Sequence, residues 1–138
     1  MKFVFKILAL FLLITFLNVQ VAKAYYMPIF AIITSGHCYT CQQLKPVVEE
    51  LKSEYEDQVT FLTFDLSSKS SLDEARQMAE EYGILEFFEA NKNALPKVGI
   101  ICPGATTTDR IYTGEIRKEV YTEILEKLLI DTSAICSL

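Results

Sequence analysis

The stretch IFAIITSGHCYTC, residues 29–41, decides the fold of this 138-residue chain. Its first part, Ile29–Thr34, is apolar and rich in β-branched residues, which predicts a buried strand. A helical pattern begins after it, at Cys38, and Cys41 follows three residues further on. A Cys-x-x-Cys pair where a strand turns into a helix is typical of a dithiol/disulfide redox centre.

The spacing suggests different tasks for the two cysteines. Cys38 is predicted at the helix N-terminus, where free N–H groups and the macrodipole favour a thiolate. Cys41 lies about one turn later on the same face, so it can attack a mixed disulfide formed by Cys38. A structural disulfide and half of a zinc site are the alternatives. A zinc site would add His37, but one cysteine pair beside one histidine matches four-ligand sites poorly, and we predict no metal.

The first 24 residues have the pattern of a secretory signal peptide. Two early lysines precede an apolar core, Ile7–Leu17, and the sequence Ala-Lys-Ala at 22–24 fits a cleavage site. We predict a mature chain of residues 25–138, exported to the periplasm or the cell exterior, where disulfides persist. An uncleaved N-terminal membrane anchor is the alternative.

The composition of residues 25–138 limits the kinds of partner. This segment is long enough for one domain. It holds all 18 acidic residues and ten of the 13 Lys and Arg residues, which gives a formal net charge of −8. An acidic surface argues against nucleic acid or an anionic membrane as a partner. The four cysteines permit two disulfides in an oxidising compartment.

Hydrophobic periodicity predicts the element order β-α-β-α-β-β-α. The crossover after the first strand implies a parallel pair, and a Pro-Gly turn near the end implies an antiparallel hairpin, so we expect a central mixed four-stranded sheet with helices on both faces. Phe87 and Phe88, in a segment without a clear pattern, either cover the core, which we favour, or line a groove. The predicted strands are Ile29–Thr34, Val59–Leu66, Lys97–Cys102 and Arg110–Thr113, and the predicted helices run from Cys38 to about Glu56, from a capping box at Ser71–Glu74 to Gly83, and from Glu115 to Ile130.

This order, with a cysteine pair at the first strand-to-helix junction, resembles the thioredoxin-like superfamily over about residues 29–130. The resemblance implies that the Leu95–Pro96 bond is cis and that the Leu95 backbone lies opposite the cysteines, where it pairs with a substrate's extended chain. The matching landmarks are Pro46 five residues after Cys41, Asp65 at the end of the second strand, Tyr82-Gly83-Ile84, Leu95-Pro96 and Gly114.

The chain departs from the family pattern around the cysteines. His37-Cys38-Tyr39-Thr40-Cys41 stands where thioredoxins carry Trp-Cys-Gly-Pro-Cys, and the chain has no Trp. Ile32 replaces the family's buried acid, and Phe61 replaces the lysine that partners it. We therefore do not expect the fast turnover of a housekeeping reductase.

The sequence thus predicts an exported thiol-disulfide oxidoreductase that acts on protein or peptide thiols and disulfides, together with a redox partner. Cys38 would attack and Cys41 would resolve, and a protonated His37 would support the Cys38 thiolate. No organic cofactor is implied, because the electrons reside on the two sulfurs. The alternative is a non-catalytic thioredoxin-fold binding module with a structural disulfide. The residues between the cysteines leave open whether the protein reduces, oxidises or isomerises.

Cys102 and Cys136 form a second candidate pair. In a thioredoxin-like layout, the end of the third strand and the end of the last helix lie on the side of the sheet away from the redox centre. The resemblance therefore places both cysteines at that end. A structural disulfide between them and two separate free cysteines are the two alternatives.

Overall fold

The structure is a computed structural model that describes residues 27–130 and Cys136. The predicted signal peptide lies outside these residues. The described strands are β1 (Ile29–Thr34), β2 (Thr60–Asp65), β3 (Lys97–Ile101) and β4 (Ile111–Thr113). The described helices are α1 (Tyr39–Tyr55), α2 (Lys69–Glu81), α3 (Leu85–Asn91) and α4 (Lys118–Ile130). None of these helices is long and apolar enough to cross a bilayer.

The four strands form one mixed sheet in the order β2-β1-β3-β4. β1 runs parallel to β2, so Thr34 pairs with Asp65 at the carboxyl ends of both strands. β3 runs antiparallel to β1, with Lys97 opposite Ile33, and β4 pairs antiparallel with β3. The predicted parallel pair, the hairpin and the mixed four-stranded sheet are confirmed. The end of β1, the end of β2 and the start of β3 therefore share one edge of the sheet.

The sheet separates two apolar cores. Alternate residues of a strand point to opposite faces, and Phe30 and Ile32 contribute to one core while Ala31 and Ile33 contribute to the other. α1 and α4 cover the first core, and α2 and α3 cover the second. These four residues in the middle of β1 are all buried, as expected for a strand with helices on both faces.

The second helix begins earlier than predicted. Ser68 and Ser71 form the capping box: the Ser71 N–H donates to Ser68 Oγ at 3.1 Å, and the Ser68 N–H donates to Ser71 Oγ at 2.9 Å. The predicted box at Ser71–Glu74 was wrong by three residues, because a serine takes the reciprocal position usually held by Glu or Gln.

The end of α2 falls where the glycine signal indicated. Gly83 has φ 70°, a left-handed conformation that favours glycine. The Ile84 N–H donates to the Ala79 carbonyl at 2.8 Å, and the Gly83 N–H donates to the Glu80 carbonyl at 3.0 Å. This pair of bonds is a Schellman motif, which satisfies the last helical carbonyls and turns the chain toward α3.

α3 is an additional helix in the segment that showed no clear pattern. Phe87 and Phe88 are both fully buried, so they cover the core and do not line a groove. Phe87 lies directly over Gly99 of β3, where a Cβ atom would overlap the ring. The buried Asn91 amide donates to the Phe87 carbonyl at 2.8 Å, which satisfies the end of this short helix.

The last helix begins three residues later than predicted. Glu115 stays outside α4, and its Oε1 accepts the backbone N–H groups of Ile116 and Arg117 at 3.0 and 2.9 Å. The Arg117 side chain donates to the same carboxylate and, with these N–H groups, lowers the pKa of Glu115 to about 2. The buried Tyr121 hydroxyl donates to the Glu115 carbonyl at 2.8 Å, which fixes this approach to the helix.

Candidate active site

The redox turn, residues 35–38, connects β1 to α1. The Cys38 N–H donates to the Ser35 carbonyl at 3.2 Å, which closes a four-residue turn. The Ser35 side chain is nearly buried, and its Oγ accepts the His37 N–H at 3.3 Å. These bonds fix the direction from which the chain enters the helix.

Cys38 is the N-cap residue of α1. Its backbone is extended, and its Sγ accepts the Cys41 N–H at 3.2 Å. The two cysteines form a disulfide with a Cα–Cα distance of 5.2 Å. Cys38 is half-buried, whereas Cys41 is only 3% exposed. Cys38 is therefore the cysteine that is accessible from solvent, and Cys41 lies behind it.

The segment before β3 approaches the same edge of the sheet. The Leu95–Pro96 peptide bond is cis, which is the isomer that the family resemblance implies. Lys97 pairs with Ile33, so Pro96 comes next to the end of β1 and the redox turn. Pro96 is buried and its carbonyl accepts the Gly114 N–H at 3.0 Å, while Leu95 is half-buried.

The side chains of His37 and Tyr39 flank Cys38 and are exposed. Within residues 27–130 and 136, the His37 imidazole has no hydrogen-bond or ion-pair partner, so support of the Cys38 thiolate by His37 stays a prediction. Tyr39 is 79% exposed and offers an aromatic surface beside the disulfide.

A hydrogen-bond network ties the redox turn to the end of β2. The Gly36 N–H donates to Ser67 Oγ at 2.6 Å. The Ser67 N–H donates to Asp65 Oδ1 at 2.9 Å, and the Ser67 hydroxyl donates to the same oxygen. From the sequence, Asp65 was only a landmark at the end of the second strand, and Ser67 was not predicted. The signal for both is the parallel pair, which brings residues after β1 and β2 to one edge.

Ile32 and Phe61, the two apolar replacements, belong to the core that α1 covers. Ile32 is 3% exposed, and Phe61 packs on the Phe30 ring with a centroid distance of 5.1 Å. Neither position supplies a titratable group behind the cysteines.

Cys102 and Cys136 form a disulfide with a Cα–Cα distance of 5.6 Å. Such a bridge requires Cα atoms within about 7 Å of one another. Cys102 directly follows β3, at the opposite end of that strand from Pro96, so the second disulfide lies away from the redox turn. All cysteines among the described residues are thus paired.

The zinc site that we considered for Cys38, Cys41 and His37 has no cluster of further ligands in the described part of the chain. Residues 27–130 and 136 contain no group of three or more His, Cys, Asp or Glu residues placed to hold an ion. Cys38 and Cys41 are instead bonded to each other.

The thioredoxin family model matches residues 17–112, from inside the predicted leader to β4. The fold is similar to thioredoxin O2 from Arabidopsis thaliana in its oxidised state, with a TM-score of 0.53 and 20% identity over 78% of this chain and 80% of that chain. It is also similar to the germline-specific thioredoxin Deadhead from Drosophila melanogaster, with a TM-score of 0.54 and 13% identity over 80% of this chain and 90% of that chain. At sequence identities of 20% and 13%, these two similarities show that the fold is shared and no more. No curated protein sequence matches the chain.

Proposed function

This chain belongs to the thioredoxin family, and from that premise we propose that it is a thiol-disulfide oxidoreductase acting on protein or peptide thiols and disulfides. The observation that carries the proposal is the place of Cys38. Its Sγ lies at the N-terminus of α1 and accepts the Cys41 N–H at 3.2 Å. The same donor and the helix dipole would stabilise the Cys38 thiolate after reduction, which makes it a better nucleophile and leaving group at neutral pH.

The proposed reaction has two exchange steps. The Cys38 thiolate attacks a substrate disulfide, forms a bond to one substrate sulfur, and releases the other as a thiolate. The Cys41 thiolate then attacks Cys38 Sγ, which closes the Cys38–Cys41 disulfide and releases the second substrate sulfur. Two electrons pass from the protein to the substrate. The reverse sequence, from the oxidised protein, oxidises a substrate dithiol.

The edge beside Pro96 supports a protein or peptide as substrate. Leu95 is half-buried next to the redox turn, and its backbone precedes the first residue of β3. An extended peptide that paired with this backbone would bring its own sulfur to Cys38. The exposed Tyr39 ring would then contact the substrate beside the reacting sulfur.

Reduction of insulin by dithiothreitol tests the proposed activity. The wild-type protein should accelerate the reaction, Cys38→Ser should abolish the acceleration, and Cys41→Ser should accumulate mixed disulfides with the substrate. The matched control is Cys102→Ser/Cys136→Ser, which removes the other disulfide and should remain active. If wild type and Cys38→Ser perform alike, the chain is a binding module and not an enzyme.

The direction of the reaction follows from the reduction potential of the Cys38–Cys41 couple. Equilibration with glutathione mixtures, read by alkylation of the freed thiols, measures this potential. A reduction potential of about −270 mV would identify a reductant, and a potential of about −120 mV would identify an oxidant.

We also propose that the protein is exported, on the strength of the apolar core at Ile7–Leu17 and the small-x-small site at 22–24. Expression of the full chain in a secreting host should yield an exported protein that begins at Tyr25 by mass spectrometry. An intact N-terminus in the membrane fraction would support the anchor, and an intact chain in the cytosol would contradict export.

A further inference from the structure

We propose that Asp65 accepts the proton of Cys41, through water in a cavity beside that sulfur. The proposal rests on the proposed function, because it concerns the second exchange step. In this proposal, the carboxylate at the end of β2 is the base, and the space between β2 and α1 holds the water.

Cys41 needs a route for its proton. Only the thiolate attacks a disulfide, and burial in apolar surroundings raises the pKa of a thiol. Cys41 is 3% exposed and lines the same cavity as Ile32, whose side chain offers no acceptor. The proton must therefore leave through a neighbouring polar space.

Such a space exists beside Cys41. A cavity of about 280 Å³ lies between the first half of α1 and the carboxyl ends of β1 and β2. Leu44 and Val48 form part of its apolar wall, and the polar residues Thr34 and Thr63 also line it. Since a water molecule occupies roughly 30 Å³ in the liquid, the cavity has room for several, with polar partners to hold them.

Three charged side chains among the described residues face this cavity: Lys45 and Glu49 from α1, and Asp65 from β2. An ammonium group cannot accept a proton. Glu49 lies eight residues after Cys41, roughly 12 Å further along the helix axis. Asp65 pairs with Thr34, the residue directly before the redox turn, so it is the carboxylate at the cysteine end of the cavity.

The hydrogen bonds of Asp65 leave one oxygen for this task. Asp65 Oδ1 accepts from both the N–H and the hydroxyl of Ser67, and Ser67 Oγ accepts from Gly36. Oδ2 accepts no hydrogen bond within residues 27–130 and 136, so it can accept one from water. The proton passes from Cys41 Sγ to water and from water to Oδ2, and the exposed carboxyl group then releases it to solvent.

The two exchange steps can be timed separately with dithiobis(nitrobenzoate). The protein is first reduced until two thiols react, and it is then mixed with excess reagent in a stopped-flow instrument. Attack by Cys38 releases the first thionitrobenzoate, at a rate proportional to reagent concentration. Attack by Cys41 releases the second, at a rate independent of that concentration. Cys41→Ser should show only the first release, which identifies the phases.

Asp65→Asn keeps an acceptor for Ser67 but removes the base. We expect the second phase to slow about tenfold or more at neutral pH, toward the range typical of a lost general base, with the first phase unchanged. The deficit should shrink as pH rises, because hydroxide takes over the proton. Asp65→Glu should recover most of the rate. The matched control, Glu49→Gln, changes another carboxylate of the same cavity and should resolve at the wild-type rate.

Three results would overturn the proposal: an unchanged second phase in Asp65→Asn, a deficit that is the same at every pH, or an equal loss in Glu49→Gln. If Asp65→Asn does not fold, Asp65→Ser is judged by the same ratio of second to first phase. The proposed function fails separately, if Cys38→Ser still gives the first release at the wild-type rate.

Discussion

Cys38 is the N-cap residue of α1, a position that Ser, Thr, Asp or Asn usually occupies. An N-cap side chain accepts a backbone N–H of the first turn, and here the sulfur accepts from Cys41. After reduction this contact becomes a charge-assisted hydrogen bond, which favours the thiolate. The exposed His37 imidazole would add to this effect only when protonated. The backbone N–H does not titrate in this way, so its contribution does not depend on the protonation state of His37.

Gly99 is the residue on which the packing of α3 depends. It lies in β3, is buried, and sits under the Phe87 ring. We predict that Gly99→Ala lowers the free energy of unfolding by about 1–3 kcal/mol, because the added methyl group overlaps that ring. Urea unfolding followed by circular dichroism measures the change.

A double-mutant cycle isolates this contact. Phe87→Leu should reduce the cost of Gly99→Ala, since it removes the ring that the methyl group overlaps. Phe88→Leu is the matched control, because the Phe88 ring packs on Phe64, with a centroid distance of 5.4 Å, and should leave the cost unchanged. Equal coupling in both cycles would show that Gly99 matters for another reason.

At the scale of the elements, Glu89 joins α3 to α2. Its carboxylate accepts from Arg76 Nε at 2.7 Å and also from Lys92 Nζ. The hydrogen bond from Arg76, followed by that from Lys92, lowers the pKa of Glu89 from its ordinary value of 4.5 to about 2. The folded state therefore favours the ionised carboxylate.

We predict that Glu89→Gln lowers the melting temperature at neutral pH and that the difference from wild type disappears in acid. A carboxyl group with a depressed pKa in the folded state stabilises the protein above its ordinary pKa, and this contribution is lost as pH falls through the folded value. The window here runs from 4.5 down to about 2. Glu80→Gln, at an exposed α2 position with no ion pair in the described chain, should show no such dependence. A constant difference across this window would contradict the assignment.

The sequence predicted elements with a strong period to within a few residues, and it placed the Cys38–Cys41 pair at the start of the first helix, where the structure has it. The sequence did not predict α3, because this helix is only seven residues long and shows no hydrophobic period. Its buried face is instead defined by the contact with Gly99. The role of Ser67 was not predicted either, because its hydrogen bond to Gly36 joins residues 31 positions apart and exists only once β1 and β2 are paired. Local patterns thus locate the two bonded sulfurs, whereas the groups around them depend on strand register.

At the scale of the whole molecule, the two disulfides differ in position and in the length of chain that they close. Cys38 and Cys41 are three residues apart at a helix N-terminus, on the edge shared with Pro96. Cys102 and Cys136 are 34 residues apart, and both pack against the core covered by α1 and α4. The first bridge restricts one helical turn, whereas the second joins Cys136 to the residue that follows β3.

We predict that mild reduction opens Cys38–Cys41 before Cys102–Cys136. The Cys38 thiolate is stabilised by the helix N-terminus, which favours its dithiol form, whereas the second bridge restricts a long loop in the unfolded chain. Graded dithiothreitol followed by alkylation and peptide mass spectrometry gives the order.

Cys102→Ser/Cys136→Ser should lower the free energy of unfolding by roughly 3–4 kcal/mol at most, and Cys38→Ser/Cys41→Ser should lower it by less, since the loop that it closes is short. Alkylation of Cys102 and Cys136 first, or an equal loss of stability in the two variants, would show that the second disulfide is not the structural one.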